Sequence, residues 1–193
     1  MGIIKLTNEQ IEILKSKNDF LRLEYDSGKN AIYGILSFDL IYDKVNENIV
    51  DEFQIEIDLN KVSDLGIPIV RETAGRIAQI AISKNIQTAD LHLNNQNGEM
   101  CIIIPPKTKE RYPSGFDLKI LLEHLQEHLY WVSYFEKHSK APWKEYGHGG
   151  LGYLQLYLED NKRYSKFFKD YFRCNSRREF RLKIKELKKK YKI

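Results

Sequence analysis

Apolar and polar residues alternate in three early stretches of the chain, FLRLEYD (20–26), AIYGILSFDLIYD (31–43) and FQIEIDL (53–59). In the third, Phe53, Ile55, Ile57 and Leu59 share one face while Gln54, Glu56 and Asp58 face water, the pattern of a half-buried strand. DSGKN and KVNEN between these stretches read as polar turns. Ahead of them, Thr7 and Gln10 stand three residues apart as in a capping box, and Ile11, Ile13 and Leu14 predict a short amphipathic helix. In LGIPIVRETAGRI (65–77), Pro68 limits any strand to a sheet edge. The segment HLNNQNGEMCIIIPP (92–106) delivers Cys101 from an Asn/Gly-rich turn to Ile102-Ile103-Ile104, an extended run stopped by Pro105 and Pro106, and KTKERYPSG reads as a loop. From Phe116 the period changes: Leu118, Leu122, Leu125, Leu129 and Val132 form the seam of one long helix to about residue 138. Residues 153–160 and 163–172 predict two more helices around the Gly-rich turn GHGGLG, and RREFRLKIKELKKKYKI is helical by propensity. No internal repeat is present. A helix, an antiparallel meander, an irregular loop and then helices give the α+β class.

Composition adds limits. With 193 residues, 42% hydrophobic and 30% charged, the chain has enough material for one filled core and a short appendage. No apolar run approaches the ~20 residues that cross a bilayer, so no membrane partner is expected. MGIIKLTNEQ lacks the pattern of a secretory signal, and two cysteines fit a reducing compartment, which points to the cytoplasm. The net charge of +4 conceals an asymmetry: residues 161–193 hold 14 Lys and Arg against 3 acids, whereas the first 160 hold 17 against 24. The expected division is therefore an acidic body, 1–160, and a basic helical tail, 161–193. Such a tail suits nucleic acid, an acidic protein surface, or solvent alone.

Cys101 carries the question of chemistry. It follows His92 by nine residues and Asn94 by seven. Either it is a small hydrophobe opening a strand, or it is a nucleophile held at an exposed edge. His124-Leu-Gln-Glu127-His128 fits H-x-x-E-H, which on a helix sets two imidazoles one turn apart with a carboxylate nearby. No distant acidic ligand accompanies it, and two histidines on the wetter flank of a Leu-rich helix is the preferred account, so no metal is expected. His148-Gly149-Gly150 lacks the preceding strand and following Lys-Ser/Thr of a phosphate loop and reads as a tight turn. No G-x-S-x-G elbow exists, which argues against a serine hydrolase.

Taken in order, these parts resemble ubiquitin-conjugating (E2) enzymes over about residues 1–138. LGIPIVRE resembles the segment leaving their last strand, His92-Leu93-Asn94 their H-P-N motif, and Asn97-Gly98-Glu99-Met100-Cys101 the N-G-x-I-C that presents the nucleophile. The closer resemblance is to bacterial E2-like proteins. Phe116-Asp117-Leu118, the run Tyr130-Trp131-Val132-Ser133-Tyr134-Phe135-Glu136-Lys137, and Pro142-Trp143-Lys144-Glu145-Tyr146-Gly147-His148-Gly149 match their helix start, their Y-x-x-S-Y-x-E-K run and their P-W-x-E-x-x-H-G element. Leu93 departs from the proline, Ile102 from the usual Leu, and the loop is one residue short of typical eukaryotic E2 proteins. FRCNSRREFRLK resembles at most a decayed form of the Cys-rich zinc motif that ends some bacterial members, with Cys174 alone.

The resemblance implies a UBC-like fold: an N-terminal helix, a four-stranded antiparallel meander, an active-site loop, then C-terminal helices. It implies that Cys101 accepts the C-terminal acyl group of a ubiquitin-like protein from an E1-like activating enzyme and passes it to an amine on an acceptor protein. A cofactor is not expected. A cysteine of ordinary pKa is only a few per cent ionised at neutral pH, which suffices for exchange with an activated thioester. In this scheme Asn94 is the amide donor to the oxyanion, and His92 fixes the loop by hydrogen bonding. At family level the implied setting is bacterial antiphage defence. The alternative is the same fold without chemistry, an RWD-like interaction module, with the basic tail binding nucleic acid or an acidic partner.

Overall fold

The computed structural model describes residues 2–16, 21–43, 45–63 and 65–193. Helix α1 (Asn8–Lys15) begins at the expected capping box: Thr7 Oγ1 accepts from Gln10 N at 3.2 Å, and Gln10 Oε1 accepts from Thr7 N at 3.0 Å. Four strands follow, β1 (Leu21–Asp26), β2 (Ala31–Tyr42), β3 (Glu47–Val62) and β4 (Pro68–Glu72), forming one antiparallel sheet in the order β1-β2-β3-β4. Pro68 opens β4, which is an edge strand, where a missing N–H breaks no ladder. The chain then forms α2 (Arg76–Ser83), the short α3 (Thr108–Arg111) and the 21-residue α4 (Leu118–His138).

Period-2 burial gives the sheet one apolar face. Ile32, Leu36 and Phe38 of β2 and Phe53, Ile55, Ile57 and Leu59 of β3 are all buried. Against them lie Leu118, Leu121, Leu122, Leu125, Leu129 and Val132 of α4, with Ile77, Ile80 and Ala81 of α2. Burying one such side chain contributes about 2 kcal/mol, so this contiguous cluster dominates the stability of the unit.

The structure divides into two compact units, 1–143 and 144–193, rather than at residue 160. The second holds α5 (Gly150–Glu159), α6 (Asn161–Tyr171) and α7 (Arg177–Tyr191) around its own core of Leu154, Phe168 and Leu187. Each helix thus contributes one residue to this cluster, which is why α5 groups with the basic segment. The Gly-rich turn precedes both α5 and α6 instead of joining them, and Gly150 and Gly152 lie inside α5. The break between α5 and α6 is Asp160, whose side chain accepts from Arg163 N at 3.0 Å and caps α6.

Three further expectations are corrected. Strand β3 starts at Glu47, not Phe53, so Glu47 and Asn48 of KVNEN belong to the strand while Val45 and Asn46 form the turn. KTKERYPSG contains α3 and the end of a 3-10 turn over Pro105–Lys107. Ile102-Ile103-Ile104 is not a strand; it runs irregularly into that turn.

A charged network holds α2 and α4 to β3. Asp51 accepts from both Arg76 guanidinium nitrogens at 2.7 Å and from Ser133 Oγ at 2.6 Å, and Arg76 also reaches Glu136 at 2.6 Å. The Arg76 guanidinium lies 4.5 Å from the centre of the Phe53 ring. Partial burial works against ionisation of Asp51, but hydrogen bonds from Arg76, Ser133 and the Glu52 amide outweigh it and hold the carboxyl below its ordinary pKa. Tyr130 adds a tie to the same strand, donating to the Glu47 carbonyl at 2.8 Å, and Lys137 pairs with Glu47 at 2.7 Å.

Because Arg76 and Asp51 are only partly exposed, their pairing lies between an exposed bridge and a buried one, and Asp51→Asn is expected to cost about 2 kcal/mol at pH 7. A carboxyl depressed on folding stabilises above its unfolded pKa of about 4 and loses that contribution as pH falls through the lower folded value. The gap between wild type and Asp51→Asn should therefore narrow below about pH 4, measured by denaturant unfolding across pH. A gap that is constant down to pH 2 would contradict the assignment.

Candidate functional site

The cysteine loop is built as an extension of the sheet. Beyond β4 the chain returns along its free edge, and Glu72 N donates to Gly98 O while Met100 N donates to Val70 O, both at 2.9 Å. Within the loop, Asn94 N donates to Glu99 O and Cys101 N to His92 O, both at 2.7 Å, so residues 92–94 and 99–101 close a small hairpin. Its tip is folded by Asn95, whose side-chain oxygen accepts from Asn97 N at 3.0 Å and whose amide donates to Glu99 Oε2 at 3.1 Å. Gly98 has φ +76°, and a Cβ there would stand 2.0 Å from the Glu72 carbonyl oxygen. Only glycine lets the turn approach β4 this closely.

Glu72 secures the same corner from inside. It is buried, and its carboxylate accepts from Ala74 N at 2.8 Å and Ile77 N at 3.2 Å, at the start of α2. The strand that anchors the loop is thereby tied to the core helix that follows it.

Cys101 is half-buried and lines a groove of about 250 Å³. One wall is the start of β4, with Pro68, Ile69 and Val70; the other includes Ile102 and Ile103, and Asn94 and Glu99 stand at its polar end. The three isoleucines expected to form a strand are instead partly exposed, two of them in this wall. Asn94 is exposed, and its amide nitrogen lies 3.4 Å from Glu99 Oε1 and 3.5 Å from Met100 O. Contacts that long are weak, and the carboxamide lines the same groove as the cysteine. Glu99, which accepts from the Asn95 amide at 3.1 Å and lies against that of Asn94, is a member that sequence reading missed.

His92 sits beneath the loop. It is 8% exposed, adopts φ +62° at the end of a 3-10 turn over Thr88–Leu91, and packs edge-on against His128 and Trp131, with ring centres 4.9 and 5.0 Å away. Its bond to the cysteine comes from the backbone carbonyl. Leu93, between His92 and Asn94, is buried.

The H-x-x-E-H residues are dispersed among separate partners. His124 Nδ1 is 2.8 Å from Tyr112 Oη, Glu127 pairs with Arg111 at 2.9 Å, and His128 meets His92 edge-on. Burial pushes the Tyr112 phenol up to about 12, with Arg111 partly opposing, so it remains protonated through the physiological range. Among the described residues no group of three His, Cys, Asp or Glu is placed to hold a metal ion. Cys174 lies in the second unit, where its thiol is turned toward the Phe172 carbonyl and is pushed up by burial, then by Glu179.

No protein-family model, curated protein or solved structure matches this chain.

If the Gly98 approach sets the loop, Gly98→Ala should cost more than about 2 kcal/mol, from the left-handed backbone and the collision with Glu72. Amide exchange at Met100 should rise with it, because that N–H is bonded to Val70. Unchanged stability together with unchanged exchange at Met100 would show that the turn is not held this way.

Proposed function

We propose that this chain carries a ubiquitin-like protein as a thioester on Cys101 and passes it to an amine. The observation that supports this most is the placement of a half-buried thiol in an open groove with the exposed carboxamide of Asn94 in the same lining. An apolar channel with a polar end suits an extended polypeptide terminus whose last carbonyl must reach sulfur. The backbone of the loop is fixed by bonds to β4, so the nucleophile needs no large rearrangement to receive it.

In this reading the Cys101 thiolate attacks the carbonyl carbon of the E1-bound thioester. The tetrahedral adduct collapses with release of the E1 thiolate. In the second step an unprotonated amine attacks the new thioester, loses a proton to solvent, and expels the Cys101 thiolate as the amide forms. Attack by the amine, the harder of the two displacements, is the step in which charge on the carbonyl oxygen most needs a donor, and the weakly held Nδ2 of Asn94 supplies it there. His92 acts through its carbonyl, which holds Cys101 N, and serves as a positioning residue. The partners are an E1-like enzyme, a ubiquitin-like protein and an acceptor, in a bacterial cytoplasmic setting, and the UBC-like fold is the frame that the order of parts supports.

Incubation with an E1-like enzyme, its ubiquitin-like protein and ATP should give an adduct that reducing agent removes and that Cys101→Ala abolishes. An adduct persisting in that variant would refute the assignment, and no adduct with wild type would favour the non-catalytic interaction module. Loss of one oxyanion donor typically lowers rates by ~100-fold or more. Asn94→Ala should accordingly slow discharge to free lysine on the order of 100-fold while leaving loading within about threefold. Equal loss in both steps would mean a damaged loop instead.

A further inference from the structure

The second unit carries 15 Lys and Arg against 6 acids, and α7 concentrates them. At about 100° per residue, Arg178, Arg181, Lys185, Lys188, Lys189 and Lys192 fall on one arc of about 100° along this helix and its C-cap. All six are exposed. The spacing 178, 181, 185, 188, 192 repeats three and four, so the stripe runs straight for about 21 Å with a cation every ~5 Å.

The two acids of α7 are directed elsewhere. Glu186 pairs with Lys183 at 2.7 Å, and Glu179 accepts from Asn175 N at 2.8 Å. Among the described residues none of the six stripe cations is in an ion pair. The apolar side of the helix is already spent, with Leu187 buried and Phe180, Ile184 and Tyr191 packed around it in the core of this unit. Of the apolar side chains of α7 only Leu182 is largely exposed, at the margin of the stripe, which is too little to enter a bilayer or to anchor a protein interface. A regular rod of like charge instead complements a polymer with regularly repeated charge.

We infer that the exposed basic stripe of α7 binds the phosphate backbone of duplex nucleic acid without reading its sequence. This goes beyond acyl transfer and does not depend on Cys101. It makes the second unit a tether that concentrates the chain on a polyanion, with affinity drawn from release of condensed counterions.

The test is fluorescence anisotropy of the full chain with a labelled 20-base-pair DNA duplex from 50 to 200 mM salt. Binding in the micromolar range is expected, with log K falling against log salt at a slope of about −4 to −5. The triple substitution Arg181→Glu, Lys185→Glu, Lys188→Glu should weaken it at least ~30-fold at 50 mM salt. The triple Arg181→Gln, Lys185→Gln, Lys188→Gln, which keeps strong helix formers, should weaken it about tenfold, with helicity by circular dichroism unchanged. Lys144→Glu, Lys162→Glu, Lys166→Glu changes the net charge of the unit equally but lies off α7, and should cost less than about fivefold. The inference fails if no binding occurs at 50 mM salt, or if the off-stripe triple loses as much as the stripe triple. It also fails if poly-glutamate or phosphatidylserine vesicles compete better than an unlabelled duplex.

Discussion

Two backbone hydrogen bonds across the free edge of β4, Met100 N to Val70 O and Glu72 N to Gly98 O, decide where the one cysteine of the first unit sits. An edge strand exposes unpaired donors and acceptors, and these must be met by something. Here the chain's own loop meets them, which protects the edge and at the same time brings Cys101 to the groove. The fit demands Gly98, because β4 leaves no space for a side chain at that approach. It also demands a stable β4, which the buried carboxylate of Glu72 supplies by binding the amides that start α2. Site geometry is therefore inherited from core structure rather than built by the loop alone.

The same economy appears where α4 meets the sheet. In the run Tyr130 to Lys137, Tyr130, Ser133, Glu136 and Lys137 each have a polar partner, reaching Glu47, Asp51, Arg76 and Glu47 in turn. Trp131 turns to the other side, toward His92 and the base of the cysteine loop. One helix thus braces both the far end of β3 and the underside of the site. The packing of Trp131 on His92, and the His92 carbonyl on Cys101 N, form a contiguous path from core to thiol.

Local signals with a single cause were legible in the sequence. Thr7 and Gln10 named their capping box, Phe53 to Leu59 their inward face, and the leucines of α4 their seam. The first half of β3 was hidden because Asp51 occupies an inward position, where a charge reads as a turn until Arg76 and Ser133 are seen to satisfy it. Ile102 and Ile103 looked like strand because apolar side chains lining a groove are indistinguishable in pattern from those filling a core. Helix α3 is only four residues, too short for a period to declare itself. The second unit was misdivided for a different reason: α5 is apolar and α7 basic, yet Leu154 and Leu187 share one core. Burial, not charge, sets that boundary.

Everything proposed for the first unit requires the Cys101 sulfur to be reachable in the folded chain. The most direct measurement is the rate of reaction with a neutral aromatic disulfide in a Cys174→Ser background, under conditions where unfolding is separately timed. Stoichiometric modification of Cys101 many times faster than global unfolding, and first order in reagent, is the expected result. Modification that proceeds only at the unfolding rate, independent of reagent concentration, would contradict an open thiol and with it the acyl carrier.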